Sequence, residues 1–129
     1  MENKWKNKNF FQSLKNALNG IKFVWDYGSN IKIQFIFGIL AIIAGFIFKL
    51  SLIEFSILIL TIFVVLICEI INTAIEKLVD LNTIEYNEIA KIVKDASAGA
   101  VTLSAIMSVI IGIILFLPKI IKFVIIWGN

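Results

Sequence analysis

Apolar positions in this chain gather into three runs, about Ile31–Phe48, Leu52–Val79 and Ala96–Leu117. Each is close to the ~20 residues an α-helix needs to cross ~30 Å of hydrocarbon, so each predicts a membrane span. The first is interrupted only by Lys32 and Gln34, and the third is expected to end at Pro118, the only proline. The second is longer, and its last turns should reach the headgroup region. Residues 9–27 follow a different rhythm. Phe10, Leu14, Ala17, Leu18, Ile21 and Trp25 recur at three- and four-residue spacing, while Gln12, Lys15, Asn16, Asn19 and Lys22 take the other side. That pattern predicts an amphipathic helix lying in the membrane interface, opened by Asn9 and Gln12 as a capping box. Gly28-Ser29-Asn30 separates it from the first span. Ser51-Leu-Ile-Glu54 is a second capping box where the next span begins, and Glu54 is assigned to capping alone.

Composition agrees with a membrane protein. Hydrophobic residues make up 60% of the 129, above the ~45–50% of soluble domains. The expectation is one all-α integral membrane domain over residues 1–129. The first run starts late, lacks an Ala-x-Ala-type cleavage site and precedes two more spans, so it is not read as a signal peptide. Lysines set the orientation. Lys4, Lys6, Lys8, Lys15, Lys22 and Lys32 precede or open the first span, and Lys77, Lys91 and Lys94 flank the second loop; only Lys49, Lys119 and Lys122 lie on the other side. The N-terminus and the second loop are therefore expected in the cytoplasm of a multi-pass protein of a bacterial plasma (inner) membrane. The net charge of +3 suits anionic lipid, and no nucleic-acid motif is present. Cys68, the one cysteine, lies mid-span and excludes a disulfide framework. The absence of histidine excludes His-based catalysis and His-ligated metals; the absence of arginine beside abundant Ile, Lys and Asn suits an AT-rich bacterial genome.

Ala96, Ala100, Ser104, Ser108 and Gly112 recur at every fourth position of the third run. Small residues on one stripe let helices approach closely in lipid. Three spans are few to screen buried carboxylates, so a homo-oligomer is expected.

The chemistry is concentrated in Glu69, Asn72, Glu76 and Asp80, which share one helix face. Ionisable groups at membrane depth are costly and mark functional sites. Glu69 and Glu76 are two turns apart, about 10 Å, too far to hold one metal ion together and far enough to divide two tasks. Glu69 is deeper, where burial disfavours the charged form of a carboxylate and suits it to take up a proton. Glu76 and Asp80 are shallower, where Mg²⁺ could bind and keep some waters. Lys94 and Asp95 pair a phosphate-seeking ammonium with another carboxylate at the mouth of the third span. These parts suit phosphoryl transfer. The same residues also suit transport or interhelical hydrogen bonding, and no Walker or protein-kinase signature is present.

The string Glu69-Ile-Ile-Asn72-Thr-Ala-Ile-Glu76-Lys-Leu-Val-Asp80, with Glu85-Tyr86-Asn87 and Ala90-Lys-Ile-Val-Lys94-Asp95, resembles the prokaryotic diacylglycerol kinase and undecaprenol kinase family. The likeness covers nearly the whole chain and is closer to the Gram-positive branch, which points to undecaprenol. It implies a homotrimer with sites shared between subunits. It further implies Glu69 as general base, and Glu76 binding Mg²⁺ with the phosphates of ATP, an arrangement that the catalytic Asn72 would support. Glu85, Tyr86, Asn87, Lys94 and Asp95 would contact ATP. The surface helix, with Ser13, Ala17 and Gly20 matching the family pattern, would bring Asn16 to the nucleotide.

Three positions depart from that pattern. Asn9, beside Lys8, and Lys32 stand where the family carries basic residues, often Arg. Gly28 stands where the family has a second metal-binding Glu, and glycine has no side chain to bind metal. Asp26 is the candidate substitute, provided the helix unwinds near Gly28, because two helical positions point about 200° apart. The expected activity is ATP-dependent phosphorylation of undecaprenol or diacylglycerol at the cytoplasmic face. The alternative is a catalytically degenerate lipid-binding or regulatory protein of the same fold; a small proton-coupled transporter is third.

Overall fold

The computed structural model describes residue 6 and residues 9–127; Lys4 and Lys8, counted above towards the topology, lie outside the described residues. Four α-helices follow in order, with no strand among the described residues: α1 (Phe10–Tyr27), α2 (Ile31–Ile47), α3 (Leu52–Asn82) and α4 (Glu88–Trp127). α3 and α4 are each long and apolar enough to cross a membrane. α2 has 17 residues, about 25 Å. It follows α1 across a 101° bend, and counting that pair as one span gives up to three.

α1 opens as its sequence requires, with Asn9 Oδ1 accepting from the Gln12 backbone N–H at 2.9 Å. Val24 is its one buried residue, and Phe10, Leu14, Leu18 and Ile21 remain exposed. An apolar face with no protein against it suits a helix lying on a bilayer. The helix stops at Gly28, whose backbone is extended (φ −71°, ψ 144°) while its N–H still reaches the Val24 carbonyl at 2.6 Å. At the other end of α2, Leu50 N–H donates to Gly45 and Lys49 N–H to Phe46, closing the helix with Lys49 in the left-handed region (φ 52°).

The packing inverts that of a soluble domain. Glu69 and Thr73 are the largest fully buried side chains, while dozens of large apolar side chains face outwards. The apolar core is small, with Leu50, Leu58 and Leu115 flanked by Phe55, Ile62 and Phe116. Lipid tails are as apolar as leucine, so helices associate through close packing and hydrogen bonds. Glycines on α2 permit that approach. A Cβ at Gly45 would lie 2.8 Å from the Phe55 ring, and one at Gly38 would lie 3.0 Å from Ile62.

Two expectations are corrected. α4 does not end at Pro118 but runs on to Trp127. Proline removes one donor, whereas ending the helix inside so apolar a segment would strand several carbonyls away from water. Glu54 is more than a cap. Its Oε2 accepts from Ser51 N–H at 2.7 Å and also from Lys119 Nζ at 2.8 Å. The helix beyond Pro118 carries that lysine to the start of α3. The small-residue stripe also behaves differently along its length. Ser104 is buried and Ser108 and Gly112 half-buried, but Ala96 and Ala100 are exposed. Each four-residue step advances about 40° around a helix, so the stripe winds from an outer face onto the other helices.

The Glu54–Lys119 pair, each side chain 29% exposed, should tie α3 to α4. A double-mutant cycle with Glu54→Gln and Lys119→Met, read by thermal unfolding in detergent, is expected to give a favourable coupling between the two positions. Purely additive losses would mean that the pair contributes nothing.

Candidate functional site

Glu69 has no solvent exposure. Its Oε1 accepts from the Asn30 backbone N–H at 3.1 Å, and its Oε2 from Gln34 Nε2 at 3.3 Å. Asn30 is the N-cap of α2, so the carboxylate sits at a helix N-terminus, where unpaired N–H groups and the helix dipole favour an anion. The sharp bend after Gly28 is what places that N-terminus over α3. One chain thus buries Glu69 unaided, and screening of this carboxylate needs no neighbouring subunit.

One turn higher, buried Asn72 links two helices. Its Oδ1 accepts from Ser97 Oγ on α4, and its Nδ2 donates to Glu76 Oε1 at 3.4 Å. Glu76 is half-buried and held on one oxygen by that amide. Thr73 Oγ1 is buried without a partner. Further up, Asp80 Oδ1 accepts from Lys94 Nζ at 2.8 Å, and Asp95 Oδ2 accepts from Lys91 Nζ at 2.5 Å. Lys94 and Asp95 therefore do not pair with each other. Adjacent helical residues point about 100° apart, so Lys94 turns to α3 while Asp95 meets the lysine four residues back. Both pairs are largely exposed, where ion pairs contribute little and an incoming polyanion can displace them.

A cavity of about 490 Å³ lies between the end of α3, the connection 83–87 and the start of α4. Glu85, Tyr86, Asn87, Lys94 and Asp95 all line it, joined by Asp80 and Lys91. Asn87 also caps α4, its Oδ1 accepting from Ala90 N–H at 3.0 Å. Glu69, Asn72 and Glu76 lie deeper along α3 and outside this cavity. Asn16 and Asp26 are exposed on α1 and do not line it. Asp26 remains helical, because the break begins only at Gly28. The local unwinding that would swing it round does not include it. Among the described residues no three His, Cys, Asp or Glu side chains form a metal cluster.

Sequence reasoning missed Asn30, Gln34 and Ser97 as partners of the stripe. Gln34 had a signal, being an amide inside an otherwise apolar run. Ser97 was one small residue among many, and Asn30 acts through its backbone, which no side-chain pattern reveals.

Comparison with known proteins bears on this arrangement. The family profile described as prokaryotic diacylglycerol kinase matches residues 15–116. An undecaprenol kinase of Bacillus subtilis is 41% identical over 110 residues, covering 85% of this chain and 89% of that protein. A diacylglycerol kinase of Synechocystis sp. is 38% identical over 115 residues, covering 88% of this chain and 66% of that protein. A Helicobacter pylori diacylglycerol kinase is 30% identical over 93 residues, 72% of this chain and 73% of its own. The matched region runs from the middle of α1 through the groups around Glu69 and the α3–α4 cavity, and the chain belongs to the prokaryotic diacylglycerol kinase family, a family of lipid kinases.

Proposed function

We propose that this protein transfers the terminal phosphoryl group of ATP to the hydroxyl of a membrane lipid, undecaprenol first and diacylglycerol second, at the cytoplasmic face of a bacterial plasma membrane. The observation that carries the reading is the fully buried Glu69 carboxylate, oriented on both oxygens by Asn30 N–H and Gln34 Nε2. A base held in one orientation is what general-base catalysis needs. The lipid oxygen attacks the terminal phosphorus, its proton passes to Glu69, and the bond to the β-phosphate oxygen breaks to release ADP. Undecaprenol ranks first because the Bacillus subtilis relative that bears that name aligns over most of both chains.

The nucleotide is assigned to the α3–α4 cavity, whose lysines would exchange their carboxylate partners for phosphate oxygens. Lys94 would be the main phosphate contact, with Asp95, Glu85, Tyr86 and Asn87 around it; Asn16, on α1 and outside this cavity, is not among its contacts. Mg²⁺ would neutralise phosphate charge. The donor set fits an ion that arrives with ATP, since such sites use one or two carboxylates plus phosphates and water. Glu76, which accepts a hydrogen bond from Asn72, would hold it. A homotrimer remains part of the proposal, supported by the exposed Ala96 and Ala100 and the half-buried Glu76 rather than by Glu69.

Gly28 favours a second reading, a member of weakened or lost activity. A Cβ there would lie 2.5 Å from the Val24 carbonyl oxygen and 3.1 Å from Val24 Cγ1. The backbone at this position is thus built for glycine, not merely lacking a carboxylate.

Glu69→Gln in lipid nanodiscs is expected to cut turnover by about 10²–10⁴-fold without loss of the folded state; activity near wild type would sink the base assignment. Lys94→Met should raise the KM for ATP by about tenfold, the worth of one charge-assisted hydrogen bond, with the lipid KM unchanged. Gly28→Glu has to be read against Gly28→Ala, which carries the steric cost alone. A gain in Mg²⁺ affinity and rate in Glu over Ala identifies a site short of one ligand, and equal values show that no ligand is missing.

A further inference from the structure

Ser97 uses its hydroxyl differently from its neighbours. Ser56, Thr61, Thr102, Ser104 and Ser108, on the same two helices, each donate to a carbonyl three or four residues back in their own helix. That is the common bond for a hydroxyl inside a helix. Ser97 instead donates across to Asn72 Oδ1 on α3, and both residues are buried. Its hydroxyl therefore acts between helices.

What it acts on is the orientation of an amide. Asn72 Nδ2 donates to Glu76 Oε1 at 3.4 Å, a bond too long to hold the amide by itself. Turned over, the amide would set its own oxygen against the Glu76 carboxylate. Ser97 stabilises the observed orientation by supplying the donor that a buried Oδ1 needs. Without that donor the amide would rotate towards another and draw Nδ2 away from Glu76. The second carboxylate oxygen, Glu76 Oε2, has no hydrogen-bond partner among the described residues.

The placement of Ser97 on α4 adds to this. Lys94 and Ser97 are three residues apart and share a helix face. Lys94 meets Asp80 and Ser97 meets Asn72, four residues to either side of Glu76. The outer link is exposed and the inner one buried. When phosphate oxygens take Lys94 from Asp80, the Ser97–Asn72 bond keeps α4 in register with Glu76.

We propose that Ser97 is a positioning residue for the Glu76 carboxylate. Its bond fixes the Asn72 amide so that Nδ2 occupies Oε1 and Oε2 is left for a divalent cation carried by nucleotide phosphates. The assignment rests on the lipid-kinase reading above, in which that cation arrives with ATP. Gly28 offers no second carboxylate, so the cation would depend on the orientation of Glu76. Outer hydrogen bonds of this kind tune metal affinity by about 10–100-fold.

The test uses the full chain in lipid nanodiscs, with Mn²⁺ as the paramagnetic probe and β,γ-methylene-ATP as the nucleotide. Binding of the Mn²⁺–nucleotide complex is read by electron paramagnetic resonance, and binding of metal-free nucleotide by calorimetry. Ser97→Ala should weaken binding of the Mn²⁺ complex about tenfold and leave metal-free nucleotide binding and the lipid KM within about twofold. Ser97→Thr, which keeps the hydroxyl, should restore most of the loss. In an Asn72→Ala background, Ser97→Ala should add less than about twofold, because the two residues act through one bond. Unchanged Mn²⁺ binding in Ser97→Ala would overturn the assignment, and equal losses in the Ala and Thr variants would assign Ser97 to packing instead. Should Ser97→Ala fail to assemble, Ser97→Cys, close in size and a weak donor, is read by the same two outcomes. Mn²⁺ binding that depends on Ser97, in a wild type that turns over neither lipid, would refute the kinase reading and leave Ser97 assigned. Lipid turnover with Mn²⁺ binding indifferent to Ser97 would refute the Ser97 assignment alone.

Discussion

A carboxylate with no access to water has to be met by donors, and the arrangement of this protein follows from how Glu69 is met. Two donors come from α2, one from the backbone at its N-terminus and one from a side chain a turn later. That requires the start of α2 to lie against the upper half of α3. It also requires the chain to arrive there from the side, which the 101° bend after α1 accomplishes. Burying a charge is tolerable only when it is hydrogen-bonded, and the N-terminus of a helix supplies donors and a favourable dipole together. Surface helix, bend and first apolar helix form one device for holding this group.

Depth also separates the surroundings of the polar groups along α3. The lowest group is sealed and fixed, the middle ones are cross-braced to α4 through Asn72 and Ser97, and the uppermost are exposed and held by ion pairs. The gradient runs from rigid to exchangeable. Under the proposed function this gradient suits a base that has to keep its geometry through many turnovers and a polyanion site that has to let its ligand in and out. Exposed pairs cost little to break, so they suit the outer end.

The rest of the fold is built for an apolar solvent. Thr61, Ser97 and Ser104 are buried while large aliphatic side chains face outwards. α4 crosses Pro118 without ending because lipid offers no water to stranded carbonyls. The Lys119–Glu54 pair is a consequence of that continuation.

Periodicity and composition predicted the four helices, the polar face of α3 and most boundaries to within a few residues, because hydrophobic spacing and capping are local properties; the end of α4, expected at Pro118, is the exception and lies at Trp127. Glu85, Tyr86, Asn87, Lys94 and Asp95 were legible as a group only through the resemblance to the family, and they do line one cavity. The pairing of Lys94 with Asp80 was not legible, since it depends on how α4 is rotated against α3. Nor were the partners of Glu69, which lie 39 and 35 residues away. At Gly28 the sequence showed only a missing carboxylate. The tertiary structure showed a backbone pressed against Val24 with no room for a side chain. Local pattern decides which segments become helices, while long-range contact decides which groups meet, because meeting depends on the bend and rotation of whole helices rather than on any residue's neighbours in the chain.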